Sequence, residues 1–70
     1  MPDIELFISQ HASEKMLWLG LTKEQVREAI IKGSKFRQTD GFLASYRYVR
    51  VAYKKIGNNA YKVKTVYVER

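Results

Sequence analysis

The chain has 70 residues, of which 46% are hydrophobic and 29% are charged, the composition of a small globular domain. It has no Cys and one His, which excludes disulfide scaffolds, thiol nucleophiles, zinc ribbons and multi-histidine metal sites. No apolar run reaches the roughly 18 residues of a membrane span, and acidic residues stand where a signal peptide is basic. We therefore expect a single cytoplasmic domain over residues 1–70, with no metal or cofactor and no membrane partner.

The first predicted helix covers about residues 9–19 and follows a short apolar segment at residues 4–8. Ser9 stands where it can cap the helix, and Gly20 stands after its end, where a glycine can adopt the left-handed conformation. Apolar residues recur at helical spacing and broaden into one face, which consists of Ala12, Met16, Leu17, Trp18 and Leu19.

The second predicted helix covers about residues 22–33 and has a clearer start signal. Thr22 and Gln25 match a capping box, and the apolar residues on either side of it match a hydrophobic staple. Gly33 is expected to end the helix. The joint between the helices has two residues, which predicts a helical hairpin. Its expected core residues are Met16, Leu21, Val26 and Ile30.

From residue 35 onward the sequence favours strands. β-Branched and aromatic residues predominate, and turn signals occur at Gly41 and at residues 57–59. They predict strands near residues 35–40, 43–50, 51–56 and 60–68, of which the second and third could also form one long bent strand. Short turns make neighbouring strands antiparallel. The expected fold class is α+β, with the helical hairpin packed on one face of a three- to four-stranded antiparallel sheet.

Positive charge is concentrated in the second half of the chain. Residues 1–34 hold four bases and five acids, whereas residues 35–70 hold nine bases and two acids. This asymmetry favours a polyanionic partner, most often nucleic acid, although lysines also keep small sheets soluble. Tyrosines interleave with the bases along the strands, and such a surface suits RNA phosphates and unpaired bases. The candidate nucleic-acid-binding residues are Arg47, Arg50, Lys54, Lys62 and Lys64.

His11 is the candidate acid or base for metal-independent RNA cleavage, in which a 2′-hydroxyl attacks the adjacent phosphate. Such a reaction needs a positioned proton-transfer group and cations that stabilise the developing charge. His11 lies in the first turn of the predicted first helix, where the helix dipole favours an anion. A surface or capping role explains a histidine there equally well.

Three stretches of the chain, residues 8–16, 20–30 and 64–68, resemble a small prokaryotic domain family catalogued as DUF four-two-five-eight. They contain a His-Ala opening of the first helix with a basic residue and Met one turn later, a capped second helix, and a Thr-Val-Tyr last strand. The resemblance covers roughly residues 7–68. The family is similar to the RelE-like toxins, which belong to the barnase–EndoU–colicin–RelE group of metal-free ribonucleases. The resemblance implies a fold with helices on one side of an antiparallel sheet.

The resemblance also implies a catalytic set of four residues. His11 matches the family's His, Lys15 stands where the family more often has Arg, and Thr65 and Tyr67 match the last-strand motif. Lys can neutralise a phosphate but lacks the planar fork of Arg. In this scheme His11 transfers a proton, Lys15 stabilises phosphate charge and Thr65 donates a hydrogen bond. Tyr67 is a second proton-transfer group or stacks on a base, and His11 lies beside the last strand.

The leading hypothesis from the sequence is a toxin-type, metal-independent endoribonuclease that acts on free or ribosome-bound RNA and is inhibited by an antitoxin protein. Two others stay open. The chain could be a non-catalytic RNA-binding module on the same scaffold, or a protein-interaction domain whose basic face binds an acidic partner. Fold alone does not decide among them.

Overall fold

The computed structural model describes residues 4–69, which form two helices and five strands. In chain order the elements are β1 (Glu5–Ile8), α1 (Gln10–Leu19), α2 (Lys23–Lys32), β2 (Ser34–Gln38), β3 (Gly41–Tyr46), β4 (Val49–Lys55) and β5 (Ala60–Val68). The predicted α+β class is confirmed. The domain limits expected at residues 1 and 70 lie outside the described residues. Neither helix of the described part is long and apolar enough to cross a membrane.

Both helices begin at the caps that the sequence predicts. The Ser9 hydroxyl accepts a hydrogen bond from the Ala12 N–H at 3.1 Å and donates one to the Lys64 carbonyl at 3.1 Å. Thr22 and Gln25 form a complete capping box, with hydrogen bonds of 2.8 and 3.2 Å. Because Ser9 bonds to the backbone of β5 as well as to α1, it fixes the start of the helix on the sheet.

Each helix ends at a glycine, for two different physical reasons. Gly20 has a φ of 72°, a left-handed conformation that glycine adopts without a Cβ clash. Gly33 is extended, and the space around it is what requires glycine. A Cβ there would collide with the carbonyl oxygens of Ala29 and Ser45, which belong to α2 and β3. The absence of a side chain therefore lets the end of α2 approach the sheet closely.

The sheet has the strand order β1-β5-β4-β3-β2, in which β1 is parallel to β5 and the other neighbours are antiparallel. The prediction of three or four antiparallel strands is therefore wrong in strand number and in the direction of β1. From the sequence, residues 4–8 are expected only as a short apolar segment before the first helix. A four-residue strand whose partner lies at the other end of the chain leaves no hairpin signal.

The turn between β3 and β4 consists of Arg47 and Tyr48, inside the segment predicted as one strand over residues 43–50. Arg47 has a φ of 56°, and among residues 4–69 no other non-glycine residue has a positive φ. Two-residue hairpin turns usually contain Asn or Gly at such a position. The predicted strand boundary at residues 50 and 51 is therefore wrong, because the sequence carries no turn signal where the chain reverses.

One hydrophobic core lies between the helices and a single face of the sheet. α1 packs on β5, and α2 packs on β3 and β4, so the main contacts of each helix are with strands rather than with the other helix. The four predicted core residues are all buried: Met16, Leu21, Val26 and Ile30. Leu17 and Trp18 are 86% and 85% exposed, which contradicts their expected place on the apolar face. α1 buries Ala12 and Met16 instead.

Candidate nucleic-acid interface

The face of the sheet opposite the helices is not covered by any element within residues 4–69. In β4, Val49, Val51 and Tyr53 are buried in the core, so the alternating residues point the other way. We call this second surface the open face. Across its strands it presents Phe7, Phe36, Leu43, Ser45, Arg50, Ala52, Lys54, Lys62, Lys64, Thr65 and Tyr67.

A β-bulge at Lys64 decides which side chains of β5 belong to the open face. Ala52 is paired with Thr65, whereas the next residue, Tyr53, is paired with Val63. The extra residue on β5 shifts the alternation by one position. Val63 and Val66 consequently both lie in the core although they are three residues apart. Strict alternation along residues 60–68 would have separated Thr65 from the lysines, and the bulge places them on one side.

Cross-strand pairing arranges the open face in three bands that run across the strands. The basic band contains Lys54, its partner Lys62 and Lys64 at the bulge. The apolar band contains Phe36, Leu43 and Ala52, and it ends at Thr65. In the third band, Ser45 and Tyr67 lie on either side of Arg50. Cations therefore border a strip of apolar side chains on both sides.

Asp40 reduces the positive charge at one end of the basic band. It lies in the turn between β2 and β3, with Oδ1 3.4 Å from Lys54 Nζ and Oδ2 3.8 Å from Lys64 Nζ. Lys64 Nζ also donates a hydrogen bond to the Asp40 carbonyl oxygen. One carboxylate is thus shared by two of the predicted binding lysines. Both ion pairs are solvent-accessible and therefore weak, so a phosphate group can replace Asp40 as the partner of either lysine.

Two of the predicted nucleic-acid-binding residues have structural contacts of their own. Arg50 Nη1 donates to the carbonyl oxygens of Arg47 and Val49 at 2.9 and 3.3 Å, and Nε lies 3.6 Å from Glu69 Oε2. Arg47 lies at the turn rather than on the open face, with its guanidinium 5.5 Å from the Tyr46 ring centre. Arg47 therefore does not share the strand surface of the lysines, whereas Arg50 lies on that surface but is also held by contacts within the protein.

The predicted catalytic residues fall into two pairs on opposite sides of the sheet. His11 and Lys15 lie on α1 in the helical layer, where they line a shallow hollow with Glu14 and Trp18. Thr65 and Tyr67 lie on the open face, as the partners of Ala52 and Arg50 show. Within residues 4–69 no hydrogen bond joins His11 to Thr65 or Tyr67, and the expected constellation is divided between the helical layer and the open face.

Two aromatic residues on the open face were not predicted as site residues. Phe7 on β1 is 48% exposed and pairs with Lys62, and Phe36 on β2 is 54% exposed and pairs with Leu43. Single exposed rings are common on protein surfaces, but these two share a face with the lysines, which makes them candidates for contact with a partner. The alternation of Leu6 and Ile8 with Phe7 is the signal that could have placed Phe7 on this surface.

Comparison of the chain with protein-family models, with curated proteins and with solved structures gives no match. The family resemblance drawn from the sequence therefore stays a prediction. What the chain binds has to be inferred from its own surfaces.

Proposed function

We propose that this protein binds single-stranded RNA on the open face of its sheet. The observation that carries the proposal is the band of three lysines, Lys54, Lys62 and Lys64, beside a strip that holds the exposed ring of Phe36. Lysines bind phosphates without regard to sequence, and aromatic rings stack on unpaired bases. An RNA strand that follows the basic band places its bases over the apolar band.

An unpaired strand fits this surface better than a duplex. In a duplex the bases are stacked on one another and cannot reach an aromatic ring of the protein. Phe7 and Phe36 are about half exposed and lie at opposite edges of the sheet, so each can accept one base. Beyond Phe36 the apolar band continues with the short or apolar side chains of Leu43, Ala52 and Thr65, whereas Phe7 adjoins Lys62 in the basic band.

Binding, rather than cleavage, is the activity that this geometry favours. A ribonuclease centre built from His11, Lys15, Thr65 and Tyr67 would have to act across the sheet, because its members lie on both sides of it. The RNA-binding module predicted as an alternative needs only the open face. A RelE-like relationship and an antitoxin partner are compatible with such a module and are not required by it.

Fluorescence anisotropy with a labelled oligouridine tests the proposal. The double variant Lys54→Ala/Lys62→Ala removes two cations from the open face, and Lys15→Ala/Lys23→Ala removes two from the helices. We expect the first variant to weaken binding at low salt. The slope of log affinity against log salt should become shallower by about 0.7 for each phosphate that the variant no longer neutralises. The helix variant should stay close to the wild type. Equal effects of the two variants, or no binding by the wild type at low salt, would contradict the proposal.

A further inference from the structure

A second hollow lies at the end of the β3–β4 hairpin, between the turn and α2. It is lined by Gln25 and Glu28 of α2 and by Tyr46, Arg47, Tyr48 and Val49 of the hairpin. It adjoins the end of the open face, because Ser45 and Arg50 pair next to the last residue pair of the hairpin. A strand bound on the open face can therefore reach it around the turn.

The hairpin turn places the Arg47 side chain at the hollow. Its φ of 56° is a conformation in which glycine is favoured and other residues are strained. The two-residue turn requires a positive φ, so this conformation belongs to the hairpin and fixes where the Arg47 side chain begins. Arg47 lies over the Tyr46 ring and forms one rim of the hollow, with Tyr48, 50% exposed, beside it. Guanidinium and phenol groups are the surfaces on which proteins stack unpaired bases.

The α2 side of the hollow carries a fixed pattern of hydrogen-bonding groups. The Oε1 atom of Gln25 accepts the Thr22 N–H at 2.8 Å, so the NH₂ group is the part of this lining amide that remains able to donate. Glu28, three residues later on the same helix face, offers carboxylate oxygens that only accept. Its exposed contact with Lys32, 3.3 Å from Oε2, is weak. The wall thus presents a donor next to two acceptors.

That pattern matches all three groups on the Watson–Crick edge of guanine, whereas each of the other RNA bases can match at most two of them. Guanine has an acceptor at O6 followed by donors at N1 and N2, so the Gln25 amide can donate to O6 while the Glu28 carboxylate accepts from N1–H and N2–H. Uracil would place acceptors beside its single N–H, and adenine and cytosine each place an acceptor at the central position. In the hollow, such an acceptor would face the Glu28 carboxylate, which has no hydrogen to donate.

The size of the hollow agrees with a partly inserted purine. Its volume is about 150 Å³, and a cavity of about that volume holds one benzene-sized ring. The six-membered ring of guanine, which carries all three of the groups named above, would enter, and the five-membered ring with the ribose would remain outside toward the open face. We infer that this hollow binds an unpaired guanine of the RNA, an inference that rests on the proposed RNA-binding function.

The test compares an oligouridine with the same RNA carrying one central guanosine, inosine or adenosine. We expect the guanosine RNA to bind about tenfold more tightly, the effect of one good bidentate base contact. Inosine lacks the N2 amino group and should give an intermediate gain, and adenosine none. Glu28→Gln should lower the affinity for the guanosine RNA to that for oligouridine, and Tyr48→Ala should weaken the guanosine preference independently. Glu24→Gln on the same helix is the matched control, and it should keep the preference.

The outcomes separate this inference from the function on which it rests. If wild-type protein binds oligouridine and the guanosine RNA equally, the guanine site is contradicted while RNA binding stands. The same holds if folded Glu28→Gln keeps the guanosine preference, because the carboxylate is then not the group that reads the base. If neither RNA binds at low salt, the proposed function itself fails.

Discussion

Arg50 holds the tip of its own hairpin: its Nη1 donates a hydrogen bond of 2.9 Å to the carbonyl oxygen of Arg47. The side chain of Arg50 is 20% exposed, and its Nε lies 3.6 Å from the Glu69 carboxylate. The backbone at Arg47 is strained, so a charged donor on its carbonyl stabilises the conformation that the turn requires. Arg50, which the sequence analysis predicts as a phosphate contact, therefore has a structural role between the open face and the hairpin hollow.

We expect Arg50→Ala to lower the free energy of unfolding by about 1–3 kcal/mol, since it removes charge-assisted hydrogen bonds from a mostly buried site. Lys62→Ala on the same face should change it by less than about 0.5 kcal/mol, because that side chain is exposed. Urea denaturation followed by circular dichroism measures both. Equal stability of the two variants would show that Arg50 does not hold the turn.

Asp40→Asn should raise the affinity for single-stranded RNA, because the shared carboxylate near Lys54 and Lys64 repels phosphate and competes with it. A unit charge about 4 Å from another in water is worth about 1 kcal/mol, so we expect roughly a fivefold gain at low salt. Glu24→Gln on α2 is the control for a general change in net charge. If both variants bind alike, Asp40 has no local effect on the basic band.

Ile30→Ala should lower the free energy of unfolding by about 2–5 kcal/mol, because Ile30 is 2% exposed and the substitution leaves a cavity. Trp18→Ala, at an 85% exposed position, should change it by less than about 0.5 kcal/mol. Chemical denaturation followed by circular dichroism suits both variants. A large loss from Trp18→Ala would mean that α1 buries a different face from the one described.

Stability should fall in alkaline solution because of Tyr53. Burial, together with the nearby Tyr61, raises the pKa of Tyr53 above its ordinary value of 10.0. The folded state disfavours the ionised ring. The contribution of neutral Tyr53 to the free energy of unfolding is therefore complete below the unfolded pKa and is lost as the pH rises through the folded pKa. Tyr53→Phe should show a smaller alkaline loss than the wild type in denaturation at increasing pH. The exposed control Tyr48→Phe should behave like the wild type, and identical curves for all three proteins would exclude Tyr53 as the source.

The helices could be predicted from the sequence because their signals are local. The Thr22–Gln25 capping box, the Ser9 cap and Gly20 each act within a few residues, and each forms as expected. The sheet depends on pairing between distant segments. β1 joins β5 from the other end of the chain, and neither strand carries a signal for the other.

The surface could be predicted only in part, for related reasons. Lys62 and Lys64 share the open face as the alternation suggests, but Thr65 joins them only because of the bulge. A bulge is set by packing of Val63 and Val66 against the core, and no residue type indicates it in advance. Arg47 turns the chain without glycine or asparagine, so its strained backbone and the hollow beside it follow from tertiary structure alone.

A backbone amide NMR titration with oligouridine tests the central claim most directly, because it locates the RNA on one side of the sheet or the other. We expect the largest shift changes at Lys54, Lys62 and Thr65, with Phe7 and Phe36 also affected, while His11 and Lys15 on α1 stay unchanged. The RNA should remain intact throughout the titration. Shift changes centred on His11 and Lys15, or cleavage of the RNA that His11→Ala abolishes, would contradict binding on the open face.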